Sequence, residues 1–375
     1  MIKKIIIYDG PKVNFKKHLP RKLTMTTISE LAIYSDRKMR EHTFKMQSRK
    51  LDAEVERGEH KPHIPCLVGF SDEYAALSSS ALNAFLSFIG QFEIDILCLQ
   101  NPPMQIRAQF QNLHSRVKEI EYPYARLDLD ILKEIYNGYS RKIIGQERAL
   151  LSILTALYPL AAQKRDKPAV LLFYGPTGVG KSETAKYLSG VMGQPLFRRQ
   201  FSMFHSGEFA TYLFGARHTE ISLAKELMER ESEIILFDEF DKPSPIFHSA
   251  FYQLFDEGIY EDKNYRANAR GAVIICTSNY LSAEEAREKL GAPLFARFDA
   301  AISFNNLSNA ALDKILRIKC ESECSALSES ERSLVSAEVL YDQLRENLSG
   351  TDGARGVEHQ VRAALSLRLL ESALN

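Results

Sequence analysis

The stretch Ala169–Ser182, AVLLFYGPTGVGKS, decides how this chain is read. Six apolar residues run into a glycine-rich loop that ends in Lys181-Ser182, with the spacing G-x-x-x-x-G-K-[ST]. The run Ala169–Tyr174 predicts a strand buried on both faces, as in a parallel sheet. Gly175, Gly178 and Gly180 let the backbone turn sharply and bring its N–H groups close to an anion. The segment SETAKYLSG predicts a helix from about Lys181, with its positive dipole end toward that anion. The candidate phosphate-binding set is therefore Gly175, Pro176, Thr177, Gly178, Val179, Gly180, Lys181, Ser182, Glu183 and Thr184. In it Lys181 reaches the β- and γ-phosphates and Ser182 ligates Mg²⁺. A glycine-rich turn that matches by chance is the plain alternative. The strand before it and the helix after it weigh against that.

Two downstream segments extend the chemistry. Ile234–Lys242, IILFDEFDK, predicts a buried strand with two carboxylates emerging at its C-terminal end, where ligands of open α/β sheets bind. Asp238 is placed to hold Mg²⁺, and Glu239 to polarise the water that attacks a γ-phosphate. A helix cap is the bland reading of the same two acids. A third strand, Ala272–Thr277, runs into Ser278-Asn279, a polar tip suited to orienting a water.

Composition restricts the remaining options. The 375 residues allow two or three domains. Lys plus Arg equals Asp plus Glu, 48 each, so net charge selects no partner class. The balance is uneven, because residues 1–50 carry 13 Lys/Arg against 4 Asp/Glu. That excess fits either a solvated helical face or a nucleic-acid surface. The five cysteines are odd in number and widely spaced, which argues against a disulfide framework, and Cys320/Cys324 lack a second metal-binding pair. The apolar run in MIKKIIIYDG is short for a signal peptide, and no stretch of about 18 apolar residues occurs. The expected setting is cytoplasmic, with no membrane contact.

Residues 1–125 read as a small α/β domain, with strands at Ile2–Tyr8, Pro65–Phe70, Ile94–Leu99 and Val117–Ile120. Residues 27–60 read as helical with a break at Gly58. Ser71-Asp72 is expected to cap a helix through about Phe92, and a further helix to reach about His114. This part carries no phosphate loop, paired carboxylates or His/Cys cluster, and the chain shows no internal repeat. Partner or substrate binding is its default role. Helices follow at Leu127–Tyr139 and Ala149–Ala162. After Asn306 the chain reads as largely helical, with a capping box at Ser328–Glu331, a short strand at Leu334–Leu340 and an amphipathic helix at Val357–Leu374.

Taken in order, GPTGVGKSETAK, IILFDEFDK and VIICTSN resemble the AAA+ ATPases, and specifically the second ATPase module of Clp-type ring unfoldases. The resemblance covers residues 126–375. It implies a P-loop NTPase core, a three-layer α/β/α sandwich with a parallel sheet, at 126–305, and a helical lid at 306–375. Ile143-Ile144-Gly145-Gln146 resembles the family's adenine-pocket segment, which places Ile143 and Ile144 against the base. FSMFHSGEF, Phe201–Phe209, resembles the second strand and the segment after it. PLFARFD, Pro293–Asp299, implies that Arg297 acts on a neighbouring subunit's nucleotide. Gly353-Ala354-Arg355 implies that Arg355 senses the γ-phosphate within its own subunit, as Asn279 does from the sheet. The implied ligands are ATP and Mg²⁺, and the implied assembly is a homo-oligomer, usually a six-membered ring.

One departure matters. Where the family carries a glycine-flanked aromatic pore loop, this chain reads LFGARHTEISL, and no Tyr, Phe or Trp lies between Gly215 and Ile234. Either the gripping aromatic sits at Tyr212 or Phe214, or the module does not thread polypeptide in the usual way. The leading expectation is an oligomeric Mg²⁺-dependent ATPase that remodels a protein partner recruited through residues 1–125. Two alternatives stand beside it: an ATP-dependent assembly switch that delivers an associated effector, and a nucleic-acid-dependent ATPase.

Overall fold

The computed structural model describes residues 2–48, 61–110, 117–203, 206–346 and 353–374. The first elements are β1 (Lys4–Asp9), α1 (Lys12–Phe15), β2 (Met25–Thr27), α2 (Ile28–Ser48), β3 (His63–Gly69), α3 (Ser79–Asn83), α4 (Phe85–Ile89), β4 (Glu93–Gln100), α5 (Met104–Gln109) and β5 (Val117–Glu121). Next come α6 (Leu129–Lys142), α7 (Glu147–Ala161), β6 (Ala169–Tyr174), α8 (Lys181–Val191), β7 (Phe197–Gln200), α9 (Ser206–Phe214), α10 (Leu223–Met228), β8 (Ile234–Asp238) and α11 (Tyr252–Glu257). They are followed by β9 (Ile259–Glu261), β10 (Arg266–Asn268), β11 (Val273–Thr277), α12 (Ala283–Leu290), α13 (Ala292–Phe295) and β12 (Ala300–Ser303). Four helices close the chain: α14 (Asn309–Ser325), α15 (Glu329–Arg332), α16 (Ala337–Arg345) and α17 (Gly353–Leu374).

Two compact units result. The first comprises residues 1–124 together with 206–231 and 259–269; the second comprises 125–205, 232–258 and 270–375. The second unit is built on the parallel sheet β12-β6-β11-β8-β7. Every residue of β8 and β11 is buried, which explains their uninterrupted apolar sequences. Ile135 and Tyr139 of α6, Ile153 and Leu157 of α7 and Leu188 of α8 share one core with Leu171 and Phe173 of β6. α14, α16 and α17 form a separate apolar cluster around Leu312, Leu316, Leu340 and Val361. Cys320 and Cys324 are buried in it.

The first unit holds a second five-stranded parallel sheet, in the order β2-β3-β4-β1-β5. Strand for strand this is the order of the other sheet, a likeness of topology that no repeat in the sequence announces. Its core gathers Ile5, Ile7, Leu67, Leu97 and Leu99 from the sheet with Ile28, Leu31 and Phe85 from the helices.

Several local expectations change. The helix expected from Ser71 to Phe92 is broken into a turn, α3 and α4, and its cap is Ser78, whose Oγ accepts from the Ala81 N–H at 3.2 Å. Residues 334–340 contribute no strand; Ser336 caps α16 there instead. The second strand of the second unit's sheet is Phe197–Gln200, just ahead of FSMFHSGEF, because Phe201–Met203 forms a tight helical turn. The capping box at Ser328 and Glu331 is present. The break expected at Gly58 and the helix end near His114 lie outside the described residues. Among the described residues no helix is long and apolar enough to cross a membrane.

Candidate active site

The loop 175–180 leaves β6 and enters α8 through Gly180, whose φ of +105° a side chain would disfavour. Gly175 is constrained more tightly. A Cβ there would lie 2.0 Å from the Phe304 carbonyl oxygen. Lys181, 8% exposed, donates to the carbonyls of Gly175 at 2.5 Å and Pro176 at 2.6 Å, and to Asn279 Oδ1 at 3.3 Å. Burial pushes its ammonium down to about 8, opposed by the carboxylates of Asp241 and Asp238 and reinforced by the Arg355 charge.

The acid strand meets the loop as its sequence implied. Ser182 Oγ lies 3.1 and 3.3 Å from the two carboxylate oxygens of Asp238. This pair of hard oxygens fits Mg²⁺, which typically takes one or two protein ligands and completes its shell with waters and substrate phosphates. Among the described residues no cluster of three or more His, Cys, Asp or Glu is arranged for a metal. Glu239, partly exposed, has a φ of +57°, a costly conformation for a residue with a side chain. Its backbone N–H is held by Thr277 Oγ1 at 3.0 Å, while the Thr277 hydroxyl donates to Asp238.

Sequence reading missed three residues here. Thr277 fixes both acids. Arg198 of β7 donates to Asp238 Oδ2 through Nε at 3.0 Å and through a terminal nitrogen at 2.5 Å. Gln200 Nε2 reaches Glu239 Oε2 at 3.1 Å. Only the neighbouring position of β7 and β8 in the sheet brings these side chains to the acids. Gln146, quoted within IIGQ, acts as a tie: its amide donates to the carbonyls of Val179 at 3.1 Å and Asn305 at 2.8 Å.

The flanking positions also converge. Ile143 is buried, and its side chain lies 3.6 Å from where a Gly180 Cβ would be; Ile144 packs on the apolar cluster of the C-terminal helices. Thr184 Oγ1 bonds the Gly180 carbonyl at 2.9 Å, and Glu183 is exposed and paired with Lys186. α17 begins directly over the loop, with the Ala354 N–H donating to the Gly178 carbonyl at 2.9 Å. Arg355 in its first turn is exposed. Arg297 lies apart from this cluster. It pairs with Asp256 at 2.9 Å, bonds the Pro293 carbonyl at 2.6 Å and stacks 4.2 Å from the Tyr252 ring centre.

A glycine-rich loop between an inner parallel strand and a helix, facing an acid pair at the end of a strand two places along the sheet, defines a P-loop nucleoside triphosphatase. Residues 166–333 match the AAA domain of the Cdc48 subfamily. The chain is 30% identical over 174 residues to the ClpA homolog protein of Fuscovulum blasticum, covering 44% of this chain and 22% of that protein. It is 26% identical over 267 residues to chaperone protein ClpB 2 of Nostoc sp., covering 62% and 31%. It therefore spans under a third of the length of these two relatives. A Saccharomyces cerevisiae Hsp104:casein complex shares the fold, with a TM-score of 0.54 at 17% identity, over 99% of this chain and 89% of that one. Over residues 166–333 the chain is therefore similar to AAA-domain ATPases, the Clp proteins among them.

Proposed function

We propose that the chain is a Mg²⁺-dependent ATPase that works as an oligomer and remodels a protein partner. The observation that carries this reading is the convergence of Lys181, Ser182, Asp238 and Asn279 at one loop beneath the first turn of α17. ATP is received by the 175–180 backbone, with Ile143 and Ile144 against the base. Lys181 leaves the loop carbonyls to neutralise the β- and γ-phosphates. Ser182 and Asp238 hold Mg²⁺, which supplies charge neutralisation of the phosphates. Asp238 must exchange its ion pair with Arg198 for that role. Glu239 orients and polarises the attacking water, while Asn279 and Arg355 face the γ-phosphate from two sides. Arg297, outside its own site, is available to a neighbouring subunit's nucleotide. An arginine supplied in trans is worth roughly 10³–10⁵ in rate in GTPase examples.

The second reading, an ATP-driven assembly switch, is favoured by residues 206–231. Tyr212 is buried with its hydroxyl on Glu226, so it is not a free gripping aromatic, although Phe214 is exposed. ATPase rates with casein, DNA or RNA at two salt concentrations, together with mass measurement with and without ATP, test both. Stimulation by unfolded protein and ATP-dependent assembly support remodelling. Assembly without stimulation by protein favours the switch. A rate raised by nucleic acid alone refutes remodelling.

A further inference from the structure

The sheet of the first unit repeats the order of the ATPase sheet, and the paired registers align the two at single residues. β1 pairs β4 with Tyr8 opposite Gln100, and β6 pairs β11 with Phe173 opposite Thr277. β3 pairs β4 with Gly69 opposite Leu99, and β8 pairs β11 with Phe237 opposite Cys276. Asp9-Gly10-Pro11 thus stands where Tyr174-Gly175-Pro176 stands. The correspondence extends to backbone detail. Gly10 has a φ of +147° and Gly175 one of +136°. Each is pressed against the residue that follows the fifth strand: a Cβ on Gly10 would lie 2.4 Å from Tyr122, as one on Gly175 would meet Phe304. Tyr122 N–H bonds the Asp9 carbonyl at 2.7 Å, and Phe304 N–H the Tyr174 carbonyl at 2.8 Å. Ser71 N–H is held by Gln100 Oε1 at 3.1 Å, the counterpart of Glu239 N–H on Thr277.

The chemistry is replaced throughout. One residue, Pro11, separates Gly10 from α1, whereas residues 176–180 separate Gly175 from α8. Phe70 stands at the position of Asp238, Ser71 at that of Glu239, and Pro102 at that of Asn279. An acid from elsewhere fills the crevice instead. The carboxylate of Glu229, just past α10, accepts from Lys12 N–H at 3.1 Å through one oxygen. Its other oxygen accepts from Ser71 Oγ at 2.5 Å, Gln100 Nε2 at 2.7 Å and Asn101 Nδ2 at 2.8 Å. Gln100 and Asn101 are fully buried and also grip Gly10. All four donors sit at the C-terminal ends of β1, β3 and β4. The chain leaves β1 toward one sheet edge and β4 toward the other, which is where doubly wound sheets receive phosphate ligands.

We infer that the first unit is a nucleotide-free copy of the triphosphatase fold in which the Glu229 carboxylate takes the place of a phosphate group, and that this internal ligand anchors residues 206–231. A carboxylate and a phosphate both offer anionic oxygens to a convergent set of N–H and O–H donors, and such charge-assisted bonds are strong. Residues 206–231, which in sequence separate β7 from the acid strand β8, are a built-in ligand arm of the copy. His218 bonds the Leu77 carbonyl at 3.1 Å and Tyr265 the His218 carbonyl at 3.1 Å, extending the attachment along the arm.

The test uses the full chain, with a fluorescent ADP analogue and amide hydrogen exchange as separate readouts. The wild type binds one analogue per chain and K181A binds none. E229A speeds exchange at residues 9–12, 70–72, 100–102 and 206–228 by tenfold or more, while 169–182 exchanges as in the wild type. E231A, which removes an exposed acid from the same segment, leaves all of these unchanged. Two analogues per wild-type chain, or one per K181A chain, overturns the inference. So does E229A exchange indistinguishable from E231A. If E229A unfolds throughout, the stoichiometries of wild type and K181A still decide whether the copy takes nucleotide. Zero binding by the wild type refutes the ATPase reading alone, because the exchange readout is independent of it.

Discussion

Raising the pH should weaken nucleotide binding and stabilise the nucleotide-free protein, through the same lysine. Burial holds Lys181 at about 8 against an ordinary 10.5. The groups facing it are the carboxylates of Asp238 and Asp241 and the guanidinium of Arg355. Between those two values the unfolded chain binds one more proton than the folded chain, so stability rises with pH. By about pH 9.5 the gain is roughly 2 kcal/mol. Phosphate binding requires the charged lysine and restores its proton, so affinity falls over the same window. The loss is about 30-fold between pH 7 and 9.5, the same 2 kcal/mol with opposite sign. The second phosphate ionisation, near about 6, lies below the window and does not interfere. Titration calorimetry in two buffers of different ionisation enthalpy reads both affinity and proton uptake; denaturant melts without nucleotide read stability. Affinity that changes less than threefold across the window, with no proton uptake, would refute the reasoning.

Glu239→Gln should still bind ATP but lose about 10²–10⁴ in turnover, the usual worth of a positioned base; near wild-type turnover in a coupled assay removes Glu239 from that role. Arg297→Ala mixed with Glu239→Gln should recover activity if the site is shared between subunits, and strictly additive defects in mixing experiments would count against sharing. Thr277→Val deletes the hydroxyl bonded to Asp238 and to the Glu239 N–H, at about 1–3 kcal/mol of stability. It should lower kcat more than it raises KM, and an unchanged kcat would show that Glu239 holds its backbone unaided. Gly175→Ala places a Cβ 2.0 Å from the Phe304 carbonyl. It should cost at least about 2 kcal/mol in thermal melts, and a wild-type melting temperature would mean the contact relaxes freely.

The geometry of the candidate site was legible where its requirements are local. A tight phosphate loop needs glycines within a few residues, a buried parallel strand needs an apolar run, and an acid pair at a strand end follows directly from that strand. Those constraints act on contiguous sequence, so Gly175–Ser182, Asp238-Glu239 and Asn279 could be read as a series. Arg198, Gln200 and Thr277 could not. They reach the acids only because β7 and β11 flank β8, and strand order leaves no mark on the strands themselves. Ser71 shows the same limit from the other side. It has the composition of a helix cap, yet its hydroxyl is committed to Glu229, 158 residues away, and Ser78 caps the next helix instead.

Sequence by itself determined the glycine-rich loop, the acid strand and the helical C-terminal part as local structures, because each is specified by residue types at short spacing. Tertiary structure alone decided that residues 2–124 repeat the ATPase topology and that 206–231 fold with them. A parallel sheet asks only for buried apolar strands, which many unrelated sequences satisfy. The loops that would have signalled a second nucleotide site are shortened or replaced, and the acid at the equivalent place arrives from a distant part of the chain.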